Sequence, residues 1–337
     1  DLGLDARFFD HRLSFTFDWY HKKTKDWLVQ APVLASYGTA APYINGGDVV
    51  NKGVELSLGW RDNINDFNYS ALINLSHNKN EVTRIANTEK IIHSGVRLGN
   101  VASEFARAEE GYPIGYFYGY QTDGLFQTPE DVQNYKNSEG VVIMPNAVPG
   151  DVRFVDRNDD GIIDDKDKTM IGKSNPDYNL GINLNMSYKG FDLTLVASGV
   201  FGNDILRAYR MPDSPSQNYT SEILGRWTGP GTSNSIPRIS SGNHINRSYI
   251  SDLYLEDGSY VRMSNVTLGY DFKKLWKSLP FEQVRFYISA QNLFTITGYS
   301  GMDPEIGTST GENWISGVDF GFYPTPRTFM VGASIKF

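Results

Sequence analysis

The sequence predicts an all-β fold: the C-terminal portion of a transmembrane antiparallel β-barrel, contributing about nine strands to a larger cylinder. Three observations predict it. Apolar and polar residues alternate at every second position in segment after segment. The links between those segments are short and long by strict turns. The last segment, Phe329, Val331, Ala333, Ile335 and Phe337, is apolar at every second position up to its terminal aromatic. Outer-membrane barrels have short periplasmic turns and long extracellular loops, whereas a β-sandwich has no reason to keep that rhythm.

The alternation can be followed along the chain. Leu2, Leu4, Ala6 and Phe8 share one face, and Leu13, Phe15, Phe17 and Trp19 the next. Val54, Leu56, Leu58 and Trp60 follow, then Leu180, Ile182, Leu184, Met186 and Tyr188, then Val284, Phe286, Ile288 and Ala290. Segments 67–78, 190–201 and 259–272 are less regular; at Ser264–Asn265 the apolar phase slips by one, which marks a bulge. Short links sit at Asp10–His11, Arg61–Asp66, Lys189–Gly190 and Lys273–Pro280. Long polar loops rich in Gly and Pro lie near 26–48, 80–176, 203–257 and 298–323, so that 1–337 reads as one barrel domain.

Composition agrees. Aromatic residues make up 13% of the chain, with 20 Tyr and 19 Phe, and there are 33 Gly, a set suited to strands, tight turns and an aromatic belt. No cysteine is present, which excludes a disulfide framework or a thiolate metal site. A net charge of −8 with scattered basic residues gives no support to nucleic-acid binding. No run of about 18 apolar residues exists, so a transmembrane helix is excluded while a barrel is not.

The chain opens at Asp1 directly in an alternating strand, without an initiator Met, and is expected to begin mid-protein with no plug domain of its own. Nine strands cannot close a wide pore, so the N-terminal remainder of the same barrel is expected as their partner. The terminal Phe337 resembles the signal by which outer-membrane barrels are recognised for assembly.

Several segments, spread over nearly the whole chain, carry a family resemblance. They are Tyr43–Leu56 (YINGGDVVNKGVEL), Glu110–Tyr120 (EGYPIGYFYGY), Asp123–Gln127 (DGLFQ) and Gly150–Gly161 (GDVRFVDRNDDG). Ser259–Tyr270 (SYVRMSNVTLGY), Gln291–Phe294 (QNLF) and Tyr323–Phe329 (YPTPRTF) follow. In this order they resemble the SusC/RagA-type TonB-dependent nutrient transporters. The resemblance implies a barrel of about 22 strands and an N-terminal plug that contacts TonB. It also implies a SusD-like lipoprotein lid, and proton-gradient-driven uptake of oligosaccharides or peptides.

Two groups of residues stand out locally. In Asp156–Asp167, oxygen donors at Asp156, Asn158 and Asp160, Gly161 for the sharp turn, the Ile162 carbonyl, and Asp164 or Asp167 match the front of a calcium loop. The last ligand position carries Asp167 in place of the longer Glu, and no helix pattern flanks the loop. A Ca²⁺ or Mg²⁺ site and a metal-free Asp/Asn/Gly turn both fit this pattern. Tyr112, Tyr116, Phe117, Tyr118, Tyr120 and Phe126 lie in the longest loop. They are candidates to line a sugar or peptide path, or to pack that loop into a compact body.

Other matches carry no chemistry. Gly307–Gly311 fits the hydrolase-elbow pattern but lacks the strand-to-helix context and any later His. His11, His21, His77, His93 and His244 show no metal-ligand spacing. The rivals to a transporter are a passive porin, a secreted calcium-binding β-rich adhesin or carbohydrate-binding module, and a surface enzyme. For the last of these no nucleophile and acid/base set converges.

Overall fold

The computed structural model describes residues 1–30, 38, 42–95, 98, 104–210, 218–240, 244–307 and 312–337. Nine strands pair in chain order into one antiparallel sheet. They are β1 (Leu2–Phe8), β2 (Leu13–Gln30), β3 (Tyr43–Ile64), β4 (Phe67–Ile85), β5 (Tyr178–Tyr188), β6 (Phe191–Phe201), β7 (Tyr260–Asp271), β8 (Gln283–Thr297) and β9 (Thr328–Lys336). Among the described residues, β1 and β9 each pair on one side only.

Register is what makes this sheet a wall. One cross-strand row runs Phe8, Leu13, Trp60, Ala71, Leu184, Leu195, Val266, Ala290, Phe329, apolar in every strand. A row on the other face runs Asp5, Thr16, Ser57, Asn74, Gly181, Ser198, Arg262, Thr295. A slip of one residue anywhere would exchange the two faces, so the apolar row fixes the pairing. The phase slip at Ser264 is a bulge, seen as register shifts between Val196 and Ala197 and between Met263 and Asn265.

Aromatic pairs bracket the apolar face. Tyr188 lies opposite Phe191 at the short-link end, and Tyr178 opposite Phe201 at the long-loop end. From 178 to 188 the strand rises roughly 33 Å at about 3.3 Å per residue. Tilted by about 40°, it would cover roughly 25 Å of bilayer, the height of a barrel's apolar band.

The strands outrun their sequence-predicted ends. β2 continues to Gln30 and β4 to Ile85, which leaves long connections at 31–42, 86–177, 202–259 and 298–327. The extension has a physical reason: Val49, Val82 and Ile85 are buried with Ala108 beneath Trp27, Ile92, Ile114 and Trp314. Wall strands thus continue above the bilayer as a pedestal for the loops.

On that pedestal the loops build their own structure. Thr169–Gly172, Tyr116–Gly119, Ala106–Glu109 and Ile91–His93 pair in that order. Asp204–Arg207 lies between Leu255–Asp257 and Val318–Asp319, while Thr122–Leu125 pairs with Val152–Phe154. A short helix, α1 (Pro129–Asn134), starts at Thr128, whose side chain accepts from the Asp131 N–H while Asp131 accepts from the Thr128 N–H.

Candidate functional site: the lumenal face and the loop body

Most of the large fully buried side chains lie in the loops, and below the strand extensions the wall keeps most of its side chains exposed or half-exposed on both faces. A barrel wall needs no dry core of its own, since lipid covers one face and water the other. Leu98, Phe105 and Phe117 from the second long loop are buried together with Leu206 and Ile250 from the third and Ile315 and Val318 from the fourth. A second cluster joins Tyr120, Phe126, Val132 and Phe154, with Trp227 and Tyr249 packed against it. Three of the four long loops therefore share one interior.

Polar chemistry faces the lumen. Near the short-link end Arg12 Nη1 lies 3.1 Å from Asp62, and Arg285 grips Asp192 with Nε and Nη2 at 2.8 and 2.5 Å. Higher on the wall, Thr16 donates to Asp5 at 2.7 Å and Tyr20 to Asn78 at 3.1 Å, while Asp18 and Glu55 stand directly opposite each other. At the mouth Arg262 is buried against Asp303 at 2.5 Å and Glu305 at 2.6 Å. Removal from water raises the Asp303 pKa. The N–H groups of Glu305 and Thr325 and the Arg262 guanidinium outweigh that, and hold its carboxyl below the ordinary range.

The aromatic candidates are placed unequally. Tyr116, Phe117, Tyr118, Tyr120 and Phe126 are buried inside the loop body. Only Tyr112, 37% exposed, presents its ring to solvent, stacked on Tyr116 at 4.9 Å. Burial, then a hydrogen bond to Glu109, pushes the Tyr116 phenol above its ordinary pKa. Burial does the same to Tyr120, which stacks on Tyr249 at 4.5 Å.

The acidic turn folds largely on itself. Asp156 Oδ2 accepts from the Gly161 N–H at 2.8 Å, Asn158 from the Asp160 N–H at 3.2 Å, and Asp160 from the Ile162 N–H at 3.1 Å. Gly161 has φ +82°, the left-handed geometry expected of it. Asp164 accepts from Lys166 N–H, and the fully buried Asp167 from both Arg157 and Asp164 N–H. The Lys166 ammonium sits 3.5 Å from Asp160 and 3.6 Å from Asp164. Among the described residues, no group of three or more His, Asp or Glu side chains is arranged around a metal position. One oxygen is left over: Asp156 Oδ1 is buried with no hydrogen-bond partner.

The remaining sequence candidates fall apart in space. His77 contacts the Asp177 carbonyl at 2.9 Å, His93 lies between Glu89 and Glu104, and His244 lies beside Arg238. Residues 308–311 of the elbow pattern lie outside the described residues. Phe337 is 86% exposed and meets Phe281 edge-on at 5.2 Å. Sequence reasoning missed the ion pairs Arg12–Asp62 and Asp192–Arg285; their signal is charge at lumen-facing positions of neighbouring strands.

A wall with one apolar and one polar face, aromatic rims and long loops gathered at one end is part of an outer-membrane β-barrel. The chain belongs to the TonB dependent receptor-like β-barrel family, whose model matches residues 1–201. TonB-dependent receptor P3 of Formosa agariphila is 33% identical over all of this chain. TonB-dependent receptor SusC of Bacteroides thetaiotaomicron is 29% identical over the same extent. The chain spans about a third of these relatives, 34% and 31% of their lengths. Among solved structures, the RagAB peptide transporter superimposes on 99% of this chain and 34% of its own, with a TM-score of 0.75 and 23% identity. The RagAB peptide importer in its open-open state gives 0.74. These two show the fold. The relatives are named as receptors and transporters, not enzymes.

Proposed function

We propose that this chain is the C-terminal wall and mouth of a TonB-dependent importer of the SusC/RagA type, which takes oligosaccharides or peptides across the outer membrane. A SusD-like lipoprotein would close over the extracellular face, and TonB would act through a plug in the N-terminal part. The observation that carries this reading is the shared interior of the long loops. It turns separate connections into a platform over a polar-lined wall, a suitable seat for a lid. The test uses cells carrying the full-length protein and its lipoprotein, fed a labelled oligosaccharide or peptide. Collapse of the proton gradient should abolish uptake, whereas uptake that persists marks a passive pore.

The buried, unpartnered Asp156 Oδ1 supports a second role, a structural Ca²⁺ or Mg²⁺ in the 156–167 turn. Asp156, Asn158, Asp160, the Ile162 carbonyl and Asp164 or Asp167 would hold it, with Lys166 displaced from Asp160. Calcium should then slow proteolysis of the 150–175 region, and Asp160→Ala should remove that effect. Proteolysis indifferent to calcium would leave the metal-free turn. Phe337, at the end of the alternating face of β9, is proposed as the assembly signal. Its deletion should lower the amount of inserted protein while uptake per inserted molecule stays unchanged.

A further inference from the structure

We propose that the short-link rim between β5 and β8 docks anionic phospholipid headgroups of the periplasmic leaflet, with Lys189, Lys274 and Lys277 as the phosphate partners. Two turns meet there, Lys189–Gly190 and the longer 272–282 connection. The Asp271 N–H donates to the Gly190 carbonyl at 2.9 Å, which ties them together. A Cβ added to Gly190 would lie 3.1 Å from both Cβ and Cγ of Lys274, so the Lys274 stem passes directly over the first turn.

The charges at this rim do not balance internally. Lys273 is engaged, donating to the carbonyls of Lys277 at 2.9 Å and Leu279 at 2.5 Å, and so fastens the longer turn. The neighbouring carboxylates are engaged as well: Asp271 accepts from the Lys273 and Val284 N–H groups, Asp192 pairs with Arg285, and Glu282 with Lys336. Lys274 and Lys277 are exposed and have no acceptor among the described residues. Lys189 has only the face of Tyr188, at 5.2 Å.

Apolar surface lies beside these cations. Rings run continuously on the lipid side: Phe191 to Tyr270 at 4.5 Å, Tyr270 to Phe272 at 5.1 Å, and Phe272 to Trp276 at 5.4 Å. Leu275 and Trp276 stay more than half exposed, at 59% and 55%. Ammonium groups above an aromatic belt match a molecule that carries phosphate above an acyl chain. The short links at Asp10–His11 and 65–66 offer no such set. Arg12 beside the first is engaged by Asp62, and the second carries Asp66.

The test is native mass spectrometry of the detergent-solubilised full-length protein, titrated with phosphatidylglycerol or phosphatidylcholine. The unaltered protein should retain phosphatidylglycerol in preference. Each lysine near a charged headgroup contributes about a fivefold effect. The triple variant Lys189→Gln, Lys274→Gln, Lys277→Gln should therefore lose roughly a hundredfold of that preference. The corresponding triple Arg variant should keep it, and heat-modifiable migration on gels should confirm that all three proteins are folded. An equal preference in the Gln variant, or none in the unaltered protein, overturns the proposal.

Discussion

Phe15 and Thr16 are neighbours in β2 that face different solvents. Phe15 stands in a cross-strand row with Ala6, Leu58, Ile73 and Ile182, and Ile182 lies between the aromatic ends of β5 at Tyr178 and Tyr188. That places Phe15 within the apolar band. Thr16 points the other way and donates to Asp5. Phe15→Arg should cost roughly 2–4 kcal/mol of barrel stability, the range for a cation at the bilayer midplane, and Thr16→Arg much less. Urea titration of the folded barrel in vesicles measures both, and equal losses would count against this assignment of faces. Which face each wall residue takes was legible in the sequence, because a strand alternates with period two and the apolar set marks the lipid side. For Phe117 the sequence offered two readings, a substrate path or a packed loop, and held no pattern that decides between them. Its burial depends on Ile250, Ile315 and Val318 arriving from loops more than a hundred residues away, and no local pattern records that meeting.

At the scale of elements, the fourth long loop meets Arg262 of the wall through two carboxylates, Asp303 and Glu305, and Asp303 makes the further bonds. Asp303 accepts from Arg262 of β7, from the Glu305 N–H at 3.0 Å, and from the Thr325 N–H at 2.9 Å, just before β9 begins. Its pKa is lowered in the folded state. Its contribution is therefore complete above the unfolded value of about 3.9, and is lost as pH falls through the lower folded value. Hydrogen exchange over 298–327 should rise steeply only in that acid range for the unaltered protein. Asp303→Asn should show the faster exchange already at neutral pH, and exchange that stays slow there would assign the docking of this loop to other contacts. Elements differ in how plainly the sequence announces them. Thr128, Pro129 and Asp131 spell a helix start that could have been read directly, and the bulge at Ser264 was read from its phase slip. The overrun of β2 and β4 could not, since those residues extend only because Ala108 and Ile114 cover them. The small loop strands are also hidden, being two to four residues each and paired mostly across long separations.

The molecule as a whole has two stabilising systems stacked on one set of strands. Below, the wall is held by its antiparallel ladder and by transfer of the apolar rows into lipid. Above, the loop body is held by water-driven burial of its own core, as in a soluble domain. The strand extensions carrying Val49, Val82 and Ile85 join the two. Phe117 tests whether they unfold together. It is fully buried among residues of three loops, and Phe117→Ala should remove about 3–5 kcal/mol from that interior through lost transfer energy and the cavity left behind. Among the described residues, the cluster around Phe117 contains no side chain of the nine wall strands, and the change removes no hydrogen bond of their ladder. The variant should therefore insert and keep its heat-resistant migration on gels, while added protease cleaves within 86–177 and 298–327 far faster than in the unaltered protein. That separation follows from the different solvents of the two layers, because weakening an aqueous core does not alter the transfer of Leu56 or Ile182 into lipid. Heat resistance lost in parallel with protease resistance would instead mean that the extended strands transmit the strain, and that wall and loops form one cooperative unit.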